Sequence, residues 1–295
     1  MTEPTASPRP GSDCSGSDRP GTARLAGVIR RDGPQLLDLV ANTRIAGDVF
    51  SLVLRRPETA PAPQPGTFLD LLPVIPAQSG GAPVLRRPLS IADCSADGRD
   101  LTVILRVVGA GSAALAGQPV GSQIDVLGPL GHGFDLDAVP AGGRALLVGG
   151  GVGVPPLYLL ARRLVERGVQ VQMRLGFRDA GDLFLIEEFA RLGEVLISTD
   201  DGSAGARGTV ADLAGDPRAL AFTPDGVFAC GPLPMLRHVQ AAFGTVVCTQ
   251  LSLEERMACG VGACYACVVT DAADRDHQHR ICWDGPVFRA EEVVL

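Results

Sequence analysis

RALLVGGGVGVPPLYLLARRLVERG, running from Arg144 to Gly168, is the stretch where this chain changes character. Ala145 to Val148 form an unbroken apolar run, and four of the next five residues are glycine. From Pro155 onward, Leu157, Leu160, Ala161, Leu164 and Val165 recur at helical spacing. The pattern predicts a buried strand, a glycine turn and an amphipathic helix that stops at Gly168. Gly149, Gly150, Gly151 and Gly153 would let a ligand's phosphates approach the backbone, where a helix N-terminus offers N–H groups and partial positive charge. The turn is not a G-x-G-x-x-G dinucleotide fingerprint, because Pro156 holds the place of the third glycine. Nor is it a P-loop, because no Gly-Lys-Ser/Thr follows. Tight packing alone would use glycines in the same way.

Downstream, strand patterns at VQMRLGF (171–177), EVLIST (194–199) and GVFACG (226–231) are joined by helical segments at 186–193 and 233–243. Strands alternating with helices predict a parallel sheet covered on both faces. Cys230 closes the third of these strands, at the carboxyl end where open α/β sheets bind ligands. A small buried hydrophobe is the plainer reading of that cysteine.

Upstream, apolar alternations at 36–45, 49–56, 67–74, 89–93, 101–108 and 122–130 are broken by Pro and Gly, with no helical stretch of any length between them. They predict six strands of a small antiparallel barrel. One strand opens with Arg87-Pro88-Leu89-Ser90. An Arg followed closely by a hydroxyl on a rigid strand can grip a pyrophosphate and hydrogen-bond a ring system. Ile104-Leu105-Arg106 comes next, then a glycine-rich turn through Gly109, Gly111 and Ser112 that either presents N–H groups to phosphate or is an ordinary turn.

Near the C-terminus, ERMACGVGACYACVV (255–269) and HRICWDGPVF (279–288) space Cys259, Cys264, Cys267 and Cys282 as C-x4-C-x2-C-x14-C. Three thiolates on one tight loop and a fourth from a neighbouring segment match the way plant-type ferredoxins hold a 2Fe–2S cluster. Gly260 and Gly262 suit a loop that curls to aim N–H groups at sulfur. Zinc is the alternative, although zinc sites usually pair two C-x2-C knuckles and only Cys264 and Cys267 make one here. A Rieske centre needs two His ligands. His277 and His279 stand near Cys282 without C-x-H pairing and read as solvated loop residues.

The 295 residues carry a net charge of −7 and a pI near 5.1, which argues against a nucleic-acid partner. Cys14, Cys94, Cys230 and Cys248 form no evident disulfide framework, as expected in a reducing cytosol. The N-terminal segment lacks an apolar secretion core and reads as a disordered tail over 1–34. The uncharged stretch from Ala145 to Ala161 contains four glycines and two prolines, so no membrane span is expected.

Taken in order, the R-P-L-S strand, the glycine turn and the late Cys-Gly-Pro resemble the ferredoxin–NADP reductase superfamily. The cysteine motif followed by CWDGPVF narrows the resemblance to the electron-transfer subunits of NAD-dependent bacterial dihydroorotate dehydrogenases. It covers Leu36 to Leu295 and implies an antiparallel FAD-binding β barrel over 35–140, a parallel-sheet α/β NAD-binding domain over 141–245 and a small 2Fe–2S cap over 246–295. By matching position it implies FAD contacts from Arg87, Pro88, Leu89, Ser90, Ile104, Leu105, Arg106, Gly111 and Ser112. It places the NAD pyrophosphate at Gly149, Gly150, Gly151 and Gly153, Cys230 beside the nicotinamide as the catalytic position, and the cluster on the four cysteines. Leu89 departs from the Tyr that many members set against the flavin. Asp200 and Asp201 replace the Arg typical of NADP users, which favours NAD, while an acidic turn is the bland alternative.

The implied reaction is an electron relay in pyrimidine biosynthesis. An FMN-containing catalytic subunit oxidises dihydroorotate, and electrons pass through the 2Fe–2S cluster and FAD to NAD+ in a cytoplasmic heterotetramer with two copies of each chain. Similar subunits serve bifurcating NADH:ferredoxin oxidoreductases and some sulfite reductases and hydrogenases. A zinc-bearing scaffold with a vestigial nucleotide fold is the reading from another class.

Overall fold

The computed structural model describes residues 33–73 and 85–295. The tail expected over 1–34 lies outside the described residues except for Gly33 and Pro34, and so do Cys14 and Val74.

Six antiparallel strands close a barrel: β1 (Gln35–Ala46), β2 (Val49–Arg55), β3 (Phe68–Leu72), β4 (Arg87–Cys94), β5 (Asp100–Arg106) and β6 (Gln123–Leu130), in the order β1-β2-β5-β4-β3-β6. Alternate residues turn inward, and Leu37, Leu39, Leu52, Leu54, Leu69, Leu71, Leu101, Val103, Ile124 and Val126 form one buried core. The glycine-rich turn after β5 leads into a short helix, α1 (Ala110–Ala116), against the expectation of an all-strand unit. Its run of alanines favours helix, and Ser112 Oγ accepts from the N–H groups of Val108 and Gly109 at its start.

The second unit has a sheet built from β7 (Arg144–Gly150), β8 (Gln170–Phe177), β9 (Glu194–Thr199), β10 (Ala206–Arg207), β11 (Gly226–Cys230), β12 (Cys248–Ser252) and β15 (Val287–Arg289). Its order is β10-β9-β8-β7-β11-β12-β15, parallel throughout except for β15. Helices α2 (Pro155–Glu166) and α3 (Ile186–Ala190) pack with one apolar cluster, α4 (Pro217–Ala221) and α5 (Leu233–Phe243) with another. Ala145 and Leu147 of β7 enter the first cluster, Leu146 and Val148 the second. Burial on both faces is why residues 145–148 of this strand are all apolar rather than alternating.

The sheet does not end at residue 245, since β12 and β15 both come from the C-terminal segment. That segment adds a small sheet of β13 (Val268–Asp271), β14 (Gln278–Arg280) and β16 (Val293–Val294), and a one-turn helix, α6 (Ile281–Asp284). Helix α2 joins the two larger units: Leu159 is buried in the barrel core, and Arg162 pairs with Asp93 of β4. Cys94 and Cys230 are buried free thiols. No helix among the described residues is long and apolar enough to cross a membrane.

Candidate functional site

The barrel opens along one seam. Strand β4 pairs with β3 over Arg87–Ser90 but with β5 only from Ile91, opposite Val103. The first half of β4 and the last residues of β5 therefore face each other across a slit, with backbone groups not used in a shared ladder. Pro88, which has no N–H, is tolerated on such an edge. The slit deepens into a groove of about 290 Å³ lined by Arg87, Pro88, Leu89, Ser90, Ile104, Leu105, Arg106 and Ser112. Eight residues singled out from two separate sequence segments thus share one cavity. Gly111 borders it indirectly: a Cβ there would collide with the Arg87 guanidinium. The Arg87 Nη1 donates to the carbonyls of Leu85 and Arg86, which holds the side chain at the groove's end. Ser112 lines the groove while its hydroxyl accepts from the N–H groups of Val108 and Gly109 and donates to the Gly109 carbonyl.

A second cleft, of about 410 Å³, lies at the carboxyl ends of the parallel strands and is lined by Gly150, Gly151, Asp200, Arg178, Pro232 and His238 among others. The four glycines of the turn divide by role. Gly151 has φ +53 and open space where a side chain would stand, and Gly150 borders the cleft against Pro232 and Met235. Gly149 packs on Val154, Leu157 and Leu175, and Gly153 lies on the Cys230 carbonyl, where a Cβ would clash. Val152 and Pro155, on the other side of the same turn, line the first groove. The turn is therefore a thin wall between the two cavities.

Asp200 lines the cleft, but Asp201 does not: its carboxylate accepts from the Ser203 N–H and hydroxyl and sits below the usual carboxylate range for that reason. Arg106 lines both cavities, with Nη1 3.0 Å from Asp182 Oδ2 and 3.5 Å from Asp48 Oδ1. Arg178 shares Asp182 at 3.2 Å and extends the cationic rim. The Cys230 side chain is fully buried and lines neither cavity, and burial pushes its thiol well above its ordinary value.

Ser252 to Glu255 and Met257 form a further side of the groove, and the chain reaches Cys259 two residues later. Gly260 (φ +67), Gly262 (φ +76) and Tyr265 (φ +54) curl the loop that follows. The N–H of Gly262 points at Cys282 Sγ (3.2 Å), that of Ala263 at Cys259 Sγ (3.3 Å) and that of Cys282 at Cys267 Sγ (3.4 Å). Burial raises the Cys259 thiol, but N–H groups of Val261, Cys264 and Ala263 outweigh it and bring the value to about 7. Cys282 is pushed up to about 12 by burial and by the neighbouring Cys267 and Cys259 sulfurs. Backbone N–H donors aimed at the sulfurs of Cys259, Cys267 and Cys282 suit thiolate ligation of an iron–sulfur cluster. Arg280 secures the loop, donating to the Gly262 carbonyl at 3.2 Å and lying over the Tyr265 and Trp283 rings.

Asp70 was not singled out from the sequence. This β3 carboxylate is 2% exposed, and Oδ1 has no hydrogen-bond partner among the described residues. It lies between Arg86 and Arg87 and the cysteine loop, where a Cβ on Gly260 would come within 2.5 Å of Oδ2. The signal was present as a lone acid inside the apolar strand FLDLL.

The family described as the iron–sulfur cluster binding domain of dihydroorotate dehydrogenase B matches residues 254–294. The chain is 47% identical over 264 residues to the dihydroorotate dehydrogenase B (NAD(+)) electron transfer subunit of Geobacillus thermodenitrificans, covering 89% of this chain and 99% of that one. It is 45% identical over 259 residues to the subunit of the same name from Listeria monocytogenes, covering 88% and 98%. Among solved structures, an NADH-dependent reduced ferredoxin-NADP oxidoreductase superposes with a TM-score of 0.74 at 32% identity over 89% of this chain and 91% of that one. The flavohem-like FAD/NAD binding domain of a Vibrio cholerae nitric oxide dioxygenase shares the fold at 21% identity and a TM-score of 0.60, over 75% of this chain and 99% of that one. Identity at this level over nearly the whole length, with three cysteines on one loop and the fourth on the neighbouring α6, means that the chain belongs to the family of dihydroorotate dehydrogenase B electron transfer subunits.

Proposed function

We propose that this chain accepts electrons that a catalytic partner subunit draws from dihydroorotate and passes them to NAD+. The observation that carries this reading is the contiguity of the three sites. One glycine turn walls the groove from the cleft, and one segment, Ser252 to Met257, runs from the groove into the cysteine loop. When bound, FAD, a 2Fe–2S cluster and NAD supply the redox chemistry, the cluster exchanging one electron at a time and the flavin one or two.

The chain's own residues bind, orient and shield. Arg87 would hold the FAD pyrophosphate, and the open edges at Arg87–Ser90 and Ile104–Arg106 would hydrogen-bond its ring system. Gly150 and Gly151 would admit the NAD phosphates to the backbone, with Asp200 accepting from a ribose hydroxyl. Cys230, buried behind that wall, would support the turn through its carbonyl against Gly153. Cys259, Cys264, Cys267 and Cys282 would hold the cluster, and the N–H groups of Gly262 and Ala263 would stabilise charge on sulfur.

Cys264 is exposed, with Val261 37% and Tyr265 60% exposed around it. This face would meet the FMN-bearing catalytic subunit, in a cytoplasmic assembly of two copies of each chain. The test is to mix the anaerobically purified chain with such a subunit and follow dihydroorotate-dependent NADH formation. Activity that needs both chains is expected. A protein that exchanges electrons with NADH yet yields no NADH from dihydroorotate would overturn the substrate and partner.

A further inference from the structure

The loop after β13, DAADRDHQH, gathers Asp271, His277 and His279. Strands β13 and β14 form a hairpin in which Val269 stands opposite His279 and Thr270 opposite Gln278. Side chains alternate faces along a strand, so His277 and His279 share one face, and Asp271, two residues beyond Val269, joins them across the ladder. Their ligand atoms all lie within 4.8 Å of one another. His279 Nε2 is 2.7 Å from Asp271 Oδ2, and the two imidazole rings meet edge to face at 5.0 Å.

We propose that Asp271, His277 and His279 bind a divalent transition-metal ion, with zinc as the simplest occupant, at a site separate from the four cysteines. Two imidazoles and one carboxylate are the donors that zinc, copper, nickel and ferrous iron favour over magnesium and calcium. Tetrahedral zinc at its usual bond lengths sets ligand atoms about 3.3 Å apart. The His279–Asp271 contact must open slightly and the exposed His277 must swing in, which rotamer changes supply. The ion takes the place of the proton between His279 Nε2 and Asp271: a neutral ring keeps that proton on Nδ1, and a protonated ring releases one to solvent. Asp271 is already held below the usual carboxylate range, first by N–H donors of Asp274 and Ala273 and then by His279, so it is charged at neutral pH. Asp274 and Asp276 add negative charge to the turn, offset only by Arg275.

The site has a structural consequence. Cys267 immediately precedes β13 and Cys282 follows β14 by two residues, so the hairpin that would carry the ion also carries two of the four sulfurs. An ion across its turn end would fix the register of those two strands.

The holoprotein, with iron and FAD quantified and loosely held metal removed by a weak chelator, would be dialysed against micromolar zinc in excess magnesium. Zinc and iron would then be counted together. About one zinc per chain is expected beside undiminished iron, and His277→Gln should reduce zinc retention at least tenfold while leaving iron and flavin unchanged. His277 is the exposed member of the three, so its loss tests binding rather than folding. Copper(II) bound in place of zinc should show hyperfine coupling to two nitrogens, reduced to one in the variant. Equal zinc in wild type and His277→Gln, or zinc that enters only as iron leaves, would overturn the site.

Discussion

At the scale of single residues, the cysteine loop depends on positions where a side chain cannot stand. Gly262 combines φ +76 with a Cβ position 2.9 Å from Trp283 Cβ. A branched residue there incurs backbone strain of about 1–3 kcal/mol together with a contact that α6 must yield to. Gly262→Val should therefore lower iron content at least several-fold while FAD stays bound, as an iron assay beside the flavin spectrum would register. Full iron occupancy would mean that the loop reshapes freely.

Asp70 offers a second test. Burial raises its carboxyl to about 6 against the pull of Arg86 and Arg87, so the folded chain keeps this proton to a higher pH than the unfolded chain does. Its contribution to stability is complete below about pH 4 and is lost as pH rises through 6. A shift of about two pKa units corresponds to about 3 kcal/mol. Asp70→Asn should flatten the pH dependence of the thermal midpoint between pH 4 and 7 and raise the midpoint at pH 7. An unchanged slope would show that Asp70 does not carry it.

At the scale of elements, the seam between β4 and β5 and the turn between β7 and α2 position the two cavities. The strands themselves were readable, because period-2 burial in the barrel and a continuous apolar run in β7 are local patterns. The groove residues were readable too, since Arg-Pro-Leu-Ser places a cation, a missing N–H and a hydroxyl within four positions. What local patterns could not supply was the division of labour inside motifs. Gly153 is required by the Cys230 carbonyl and Gly149 by Leu157 and Leu175, partners set by the fold rather than by neighbours in sequence. The extension of the sheet into β12 and β15, and the gathering of His277 and His279 with Asp271, depend on pairings of the same kind.

Asp200 and Asp201 make that division testable. Asp200 faces the cleft, whereas Asp201 is engaged by Ser203. A hydrogen bond to a charged acceptor is worth about 1.5–3 kcal/mol. Asp200→Ala should thus narrow the preference for NADH over NADPH by roughly ten- to a hundredfold in kcat/KM with a dye acceptor. Asp201→Ala should leave that ratio unchanged and affect only stability. The reverse pattern would assign the ribose contact to Asp201.

At the scale of the whole molecule, the three sites lie in a chain-linked series, and the cysteine centre carries an exposed thiol. Cys267 and Cys282 are buried in a core shared with the parallel sheet, while Cys264 is exposed. Substituting Cys264 should therefore disturb the centre without unfolding what lies behind it, whereas substituting Cys282 also opens a core position. If electrons enter through this centre and leave through the cleft, Cys264→Ser should split two activities that are coupled in the intact protein. NADH-dependent reduction of a small dye, which needs only the cleft and the groove, should stay within about twofold of wild type. Dihydroorotate-dependent NADH formation with the partner subunit, which needs all three sites, should fall at least a hundredfold. Equal loss of both would make the centre a structural support, and an undiminished coupled rate would mean that electrons reach the groove by another path. The split is expected because the groove and the cleft adjoin across the glycine turn and Arg106, with no cysteine of the loop lining either cavity.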